Sequence, residues 1–185
     1  EGIAFFPKDS TLLISREADN RIVEYGMNGR LTGRELAIPS VFSTATPAYS
    51  FEALTYNALT HRFWTTSEST LKTDGEQTNA TNHVKNKLRF QSFDDSFTPR
   101  EQYAYLMDAA ENHASASNYA MGVPAMTALD DGRLLVLERE FLVTSSKIGS
   151  FVENKIYCVN PAESVAINQK RGLDADSPYM QKVLI

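Results

Sequence analysis

The chain has a single cysteine, Cys158, among its 185 residues, so no intrachain disulfide can form and a packed core must hold the fold. Inside the apolar run Ile156-Tyr157-Cys158-Val159 the thiol reads as a small hydrophobe. No apolar run approaches the ~20 residues that a membrane-spanning helix needs. Positive charge is also scarce. A net charge of −5 and a pI of about 5.2 argue against a broad footprint for nucleic acid or an anionic membrane, and favour cations or neutral ligands. There is no Gly-x-Ser-x-Gly elbow for a nucleophilic serine and no glycine-rich loop to cradle a phosphate. His61, His83 and His113 lie too far apart for zinc-ligand spacing. The sequence opens on Glu1 without an initiator methionine or a signal peptide, which reads as a processed or trimmed product. The composition, 42% hydrophobic and 22% charged, is that of an ordinary globular protein. The length fits one domain over residues 1–185.

An internal repeat is the strongest positive signal. Residues 123–139 form two alternating apolar runs around an Asp-Gly turn, the signature of a β-hairpin. The same pattern stands earlier in Glu1-Gly2-Ile3-Ala4-Phe5 with Leu12-Leu13-Ile14-Ser15-Arg16-Glu17. It recurs in Phe51-Glu52-Ala53-Leu54-Thr55-Tyr56 with Phe63-Trp64-Thr65-Thr66-Ser67-Glu68. Hairpins are therefore expected over residues 2–17, 53–68 and 124–139. Residues 21–25 and 34–38 supply a third and fourth strand to the first unit, ended by Pro39, and residues 40–50 are a linker. In the second unit a polar stretch, 72–86, is expected to stay at the surface, and residues 87–93 and 101–108 are its outer strands. Asn79-Ala80-Thr81 there matches an N-glycosylation acceptor, a triplet common by chance. Residues 109–120 favour a helical turn or two. In the third unit residues 140–153 read as a loop, 155–160 as a strand, 161–178 as an excursion and 179–185 as the last strand.

Four antiparallel strands in about 40 residues make one propeller blade. The expected fold is all-β and propeller-like, with three four-stranded antiparallel blades over about residues 1–39, 51–109 and 123–185. Three blades do not close a ring, because propellers use four to eight. The outer faces around Ile3, Phe5 and Leu13 in the first blade, and around Leu135, Leu137 and Ile156 in the third, would then need cover. Further blades, for about six in all, or another copy of the chain would supply it.

In a propeller blade the first strand starts, and the second ends, at the same rim of the channel. That topology gathers Glu1, Glu17, Glu52, Glu68 and Glu138 at one mouth, with Arg16 and Arg139 among them. Crowded carboxylates raise one another's pKa or recruit a cation, and an oxygen-rich site suits calcium. Glu1, Glu17, Glu52 and Glu68 are the candidate metal ligands. Arg16 and Arg139 are candidate clamps for a substrate phosphate, and Glu68, Glu138 and Arg139 candidate catalytic groups of a metal-assisted phosphoester hydrolase. The same acids could instead accept backbone bonds or pair with arginines to hold the blades in register.

Several motifs in order resemble one known family. They are Phe51-Glu52-Ala53-Leu54-Thr55 with Thr66-Ser67-Glu68, Glu101-Gln102-Tyr103-Ala104-Tyr105, and the run from Pro124 to Phe141 followed by Lys155-Ile156-Tyr157-Cys158-Val159. Together they are similar to the phytase-like family with "esterase-like activity of phytase". The resemblance implies a β-propeller-like domain, a secreted or periplasmic bacterial setting, and hydrolysis of phosphoesters or other small-molecule esters. Family chains carry more sequence before the first hairpin and a further hairpin after the third, both absent here. A non-catalytic propeller that binds a ligand or a protein is the alternative from a different class.

Overall fold

The computed structural model describes residues 1–82, 84–111 and 116–185. These form twelve strands and four short 3-10 turns. The first sheet runs β1 (Ile3–Phe6), β2 (Thr11–Arg16), β3 (Arg21–Gly26) and β4 (Leu31–Glu35). The second holds β5 (Phe51–Asn57), β6 (Arg62–Ser67), β7 (Lys87–Phe93) and β8 (Pro99–Leu106). The third holds β9 (Asn118–Ala128), β10 (Leu134–Val143), β11 (Phe151–Val159) and β12 (Lys182–Leu184). Each sheet is an antiparallel meander in which every strand pairs with its sequence neighbours. The all-β expectation and the three four-stranded sheets hold.

The sheets stack face to face because alternation gives each strand two different sides. In β2, Thr11, Leu13 and Ser15 are buried while Leu12, Ile14 and Arg16 are half-buried. Leu13 joins Ala4, Phe6 and Ile22 in a cluster with Phe51, Leu54, Phe63 and Phe93 of the second sheet. The opposite face of that sheet, with Ala53, Trp64, Leu88 and Phe90, packs on Met126, Leu134 and Val136 of the third. The middle sheet is thus buried on both sides, and the outer two on one side each. The first strands β1, β5 and β9 are neighbours, and they approach closely. A Cβ on Gly2 would overlap the Glu52 carbonyl oxygen and lie 2.8 Å from Leu54 Cβ. This is the stacking order of propeller blades, and no closed ring forms among the described residues.

Several expectations are corrected. Leu13 is fully buried, because its register partner Ala4 faces the second sheet. Leu12 and Ile14 occupy the open face with Ile3 and Phe5 instead. The fourth strand of the first sheet starts at Leu31, since Gly33, at φ 90°, absorbs a bulge opposite Val23 and Tyr25. The polar stretch 72–86 is not wholly exposed. Asp74 there makes a fully buried ion pair with Arg89 at 2.6 Å and accepts the Leu173 amide. Asn86, also fully buried, accepts from Ser69, Thr70 and the Thr78 amide. No helix forms at residues 109–111, and 118–120 are strand; the intervening 112–115, with His113, and also His83, lie outside the described residues. Most consequentially, the loop expected over residues 140–153 is strand at both ends, as β10 continues to Val143 and β11 begins at Phe151. The last strand is short because Met180 donates to Ala104 of β8, tying the tail of the third sheet to the second.

Candidate functional site

The residue that closes the turn between first and second strands sets the count to the mouth. Phe6 pairs with Thr11 and Asn57 with Arg62 across four-residue loops. In the third sheet Leu129 donates to the Arg133 carbonyl across a three-residue loop, with Gly132 at φ 90°. The sixth residue beyond each closing position is Glu17, Glu68 and Arg139. Glu138 is the fifth residue, and successive residues of a strand point to opposite faces. Glu138 was expected to be the third acid of this set. It is turned instead to the buried side of β10, with Leu134 and Val136, and Arg139 takes the mouth position.

Glu17, Glu52 and Glu68 come together there, each with a carboxylate oxygen within 4.8 Å of the others'. Three elements deliver them. Glu17 opens the 3-10 turn after β2. Glu52 lies at a bulge in β5, between the Phe51 and Ala53 pairings, and bulges re-aim the side chains they carry. Glu68 follows β6, its amide bonded to the Ser50 carbonyl at 2.6 Å and its carbonyl accepting the Val123 amide at 3.0 Å. Gly122 makes room for it. A Cβ at that position would overlap Glu68 Cγ and lie 2.5 Å from its carbonyl oxygen. Arg139, whose register partner is Gly122, brings Nη2 to 3.5 Å from Glu68 Oε1. The Glu1 backbone nitrogen lies 3.8 Å from Glu52 Oε1. The Glu1 side chain is not in the trio, and Arg16 pairs with Asp19 at 2.8 Å.

Charge and burial shape the chemistry. The Glu68 side chain is only 7% exposed, and its carboxylate has no donor closer than Arg139 among the described residues. Burial first, then repulsion from Glu52 and Glu17, push its pKa up to about 7 against the opposing pull of Arg139. The half-buried Tyr49 beside it is raised as well, by burial and then by Glu68 and Glu17. A carboxylate removed from water and short of donors is stabilised by a proton or by a metal ion. Three carboxylates with converging oxygens suit a hard cation, so the residues present fit a divalent ion such as calcium.

Glu138 belongs to a separate network. It accepts from Tyr105 Oη at 2.5 Å, the Asp108 amide at 3.0 Å and Lys182 Nζ at 2.5 Å. Lys182 also pairs with Asp108 at 2.8 Å and lies over the Tyr157 ring. Glu140 went unnoticed in the sequence. It is buried, and it accepts from Tyr119 Oη at 2.9 Å and the Glu111 amide at 2.8 Å. The signal that would have found it is the alternation of β10 continued past Arg139.

A family model described as phytase-like, "esterase-like activity of phytase", matches residues 1–185. The chain belongs to the phytase-like family. Membership supports an esterase-like, hydrolase-like function on a small-molecule ester. No curated protein matches the chain. No helix among the described residues is long and apolar enough to cross a membrane. His61, the one histidine described, pairs with Asp95 at 3.1 Å, away from the phytase-like acidic mouth. Cys158 is half-buried in β11, opposite Leu135.

Proposed function

We propose that this phytase-like chain is an exported hydrolase of phosphoesters, assisted by a divalent cation, with calcium the best fit. The observation that carries the proposal is the Glu17, Glu52 and Glu68 trio, with its buried, donor-poor Glu68 beside Arg139. These three carboxylates would hold the ion, with the backbone at Glu1 beside them. A bound cation would polarise the phosphoryl oxygen and lower the pKa of an attacking water. Arg139 would hold the phosphate through its planar donors, and Arg16, equivalent in strand position to Ser67, would approach from the first blade once released from Asp19. Glu138 serves as a positioning residue. Its bonds to Tyr105, Lys182 and the Asp108 amide fix β10 next to Arg139. Export accords with the usual setting of the family and with a calcium-rich exterior. The open faces of the first and third sheets are taken to be covered by further blades or by another copy.

The test is an assay of the protein on a generic phosphomonoester and a generic carboxylic ester, with calcium and with chelator. Calcium-dependent phosphomonoester turnover, lost in Glu68→Gln and Arg139→Ala, is the expected result. Hydrolysis of neither ester would leave the chain as a binding module. Recovery of the native protein only from the cytoplasmic fraction of its source cells would refute export.

A further inference from the structure

The third hairpin outgrows the other two. In the first and second sheets the second strand stops at Arg16 and Ser67, one residue before the mouth acids. In the third, β10 runs on from Arg139 to Val143, flanked on both sides. Phe141 pairs with Ala120 of β9 and Val152 of β11, just as Arg139 pairs with Gly122 and Asn154. Four more residues at about 3.3 Å each raise this arm roughly 13 Å beyond Arg139.

The arm has a distinct face. Glu138, Glu140 and Leu142 are buried on one side of β10, which leaves Arg139, Phe141 and Val143 half-buried on the other. Val152, beside Phe141, is 54% exposed. An apolar row therefore stands about two residues, or roughly 7 Å, outward from the Arg139 guanidinium row. The small Ala120 and Gly122 keep the β9 side of both rows low. The row on the other side of Arg139, with Leu137 and Ile156, occupies the part of the sheet that in the first two blades forms the joint with the next blade. The outer row lies beyond the level at which the second strands of the first two sheets end, so it has no counterpart in the joints between the blades.

We infer that the Phe141 and Val152 row of this arm is a specificity wall that takes the apolar or aromatic alcohol part of a phosphomonoester whose phosphate is held at Arg139. The inference rests on the phosphoester reading above and adds the class of substrate: esters with a flat or branched apolar body in preference to compact polar ones. An aryl body larger than one ring, attached to a phosphate at Arg139, spans the roughly 7 Å between the two rows. The site recognises charge at its base and shape along its wall.

The test compares kcat/KM for 1-naphthyl phosphate and phenyl phosphate in the full chain with calcium. These substrates share leaving-group chemistry and differ by one fused ring. The intact protein should prefer the naphthyl ester, and Phe141→Ala should lower the naphthyl-to-phenyl ratio by about fivefold to tenfold, mainly through KM, as expected for the lost burial of one ring. Val152→Ser, at an exposed position outside the core, should lower the ratio in the same direction. Hydrolysis of both esters with a ratio insensitive to both variants would overturn the wall and leave the hydrolase reading standing. Hydrolysis of neither ester by the intact protein would overturn both.

Discussion

Arg139 holds in the third blade the position that Glu17 and Glu68 hold in the first and second, and its guanidinium lies 3.5 Å from the Glu68 carboxylate. A cation and an anion thus face each other at equivalent strand ends. The first prediction concerns that anion. Glu68→Gln, Glu17→Gln and Glu52→Gln should each weaken calcium binding by roughly tenfold or more, because affinity at such sites follows the number of charged ligands. Isothermal titration calorimetry reads this directly, and an unchanged affinity in Glu68→Gln would return that residue to a structural role.

Without calcium, stability should fall as the pH climbs from about 4.5 to about 7. The folded chain raises the Glu68 pKa from 4.5 to about 7, so over that window the folded state binds more protons than the unfolded state, and the stability slope is negative. The contribution is fully present below the ordinary carboxylate range and gone above the folded pKa. Thermal melts across the window should show the decline, Glu68→Gln should flatten it, and calcium should reverse it at the alkaline end.

Gly122→Ala should destabilise the fold by about 1–3 kcal/mol, the usual cost of overpacking. The new methyl meets Glu68 at both Cγ and the carbonyl that accepts the Val123 amide. Calcium affinity should fall with it. Urea unfolding together with calorimetry separates the two effects.

Glu138→Gln should cost about 2–3 kcal/mol, since Lys182 loses one charged partner but keeps Asp108 and some water. Calcium affinity should stay near that of the intact protein. A large loss of calcium binding would place Glu138 in the ion site after all.

The hairpins were legible in the sequence because short apolar runs stand next to turn residues. Leu12-Leu13-Ile14 after Pro7-Lys8-Asp9-Ser10 and Leu134-Leu135-Val136 after Asp131-Gly132 are bounded in the way that marks strands. Beyond Leu137 the pattern fails for a physical reason. The inward positions of β10 are filled by Glu138 and Glu140, acids that Tyr105, Tyr119 and two backbone amides satisfy in the folded chain. Polar residues at core-facing sites look like a loop until their partners are known. The gathering of Glu17, Glu52 and Glu68 followed from blade topology alone. The exchange of Glu138 for Arg139 did not, because it depends on knowing that Arg133 is the residue that closes the exposed turn. The buried Asp74 and Arg89 pair was hidden for a similar reason, as its partners lie far apart in sequence.

The chain's open faces give a further prediction. Ile3 is 60% and Phe5 51% exposed on the first sheet, and Ile156 is 47% exposed beside a cavity of about 230 Å³ lined by Ala125, Leu135 and Leu137. Apolar faces of this kind associate in water. Light scattering of the 185-residue chain expressed alone should show concentration-dependent association, reduced by Phe5→Ser and Ile156→Ser. A stable monomer at high concentration would show that these faces tolerate water.

In all three hairpins the mouth residue stands six places beyond the residue that closes the turn, whether the turn holds four residues or three. The exposed bend can therefore change length while the strand keeps its phase, and the charge at the mouth is set by the residue at that one strand position. Loop and site are free to vary independently.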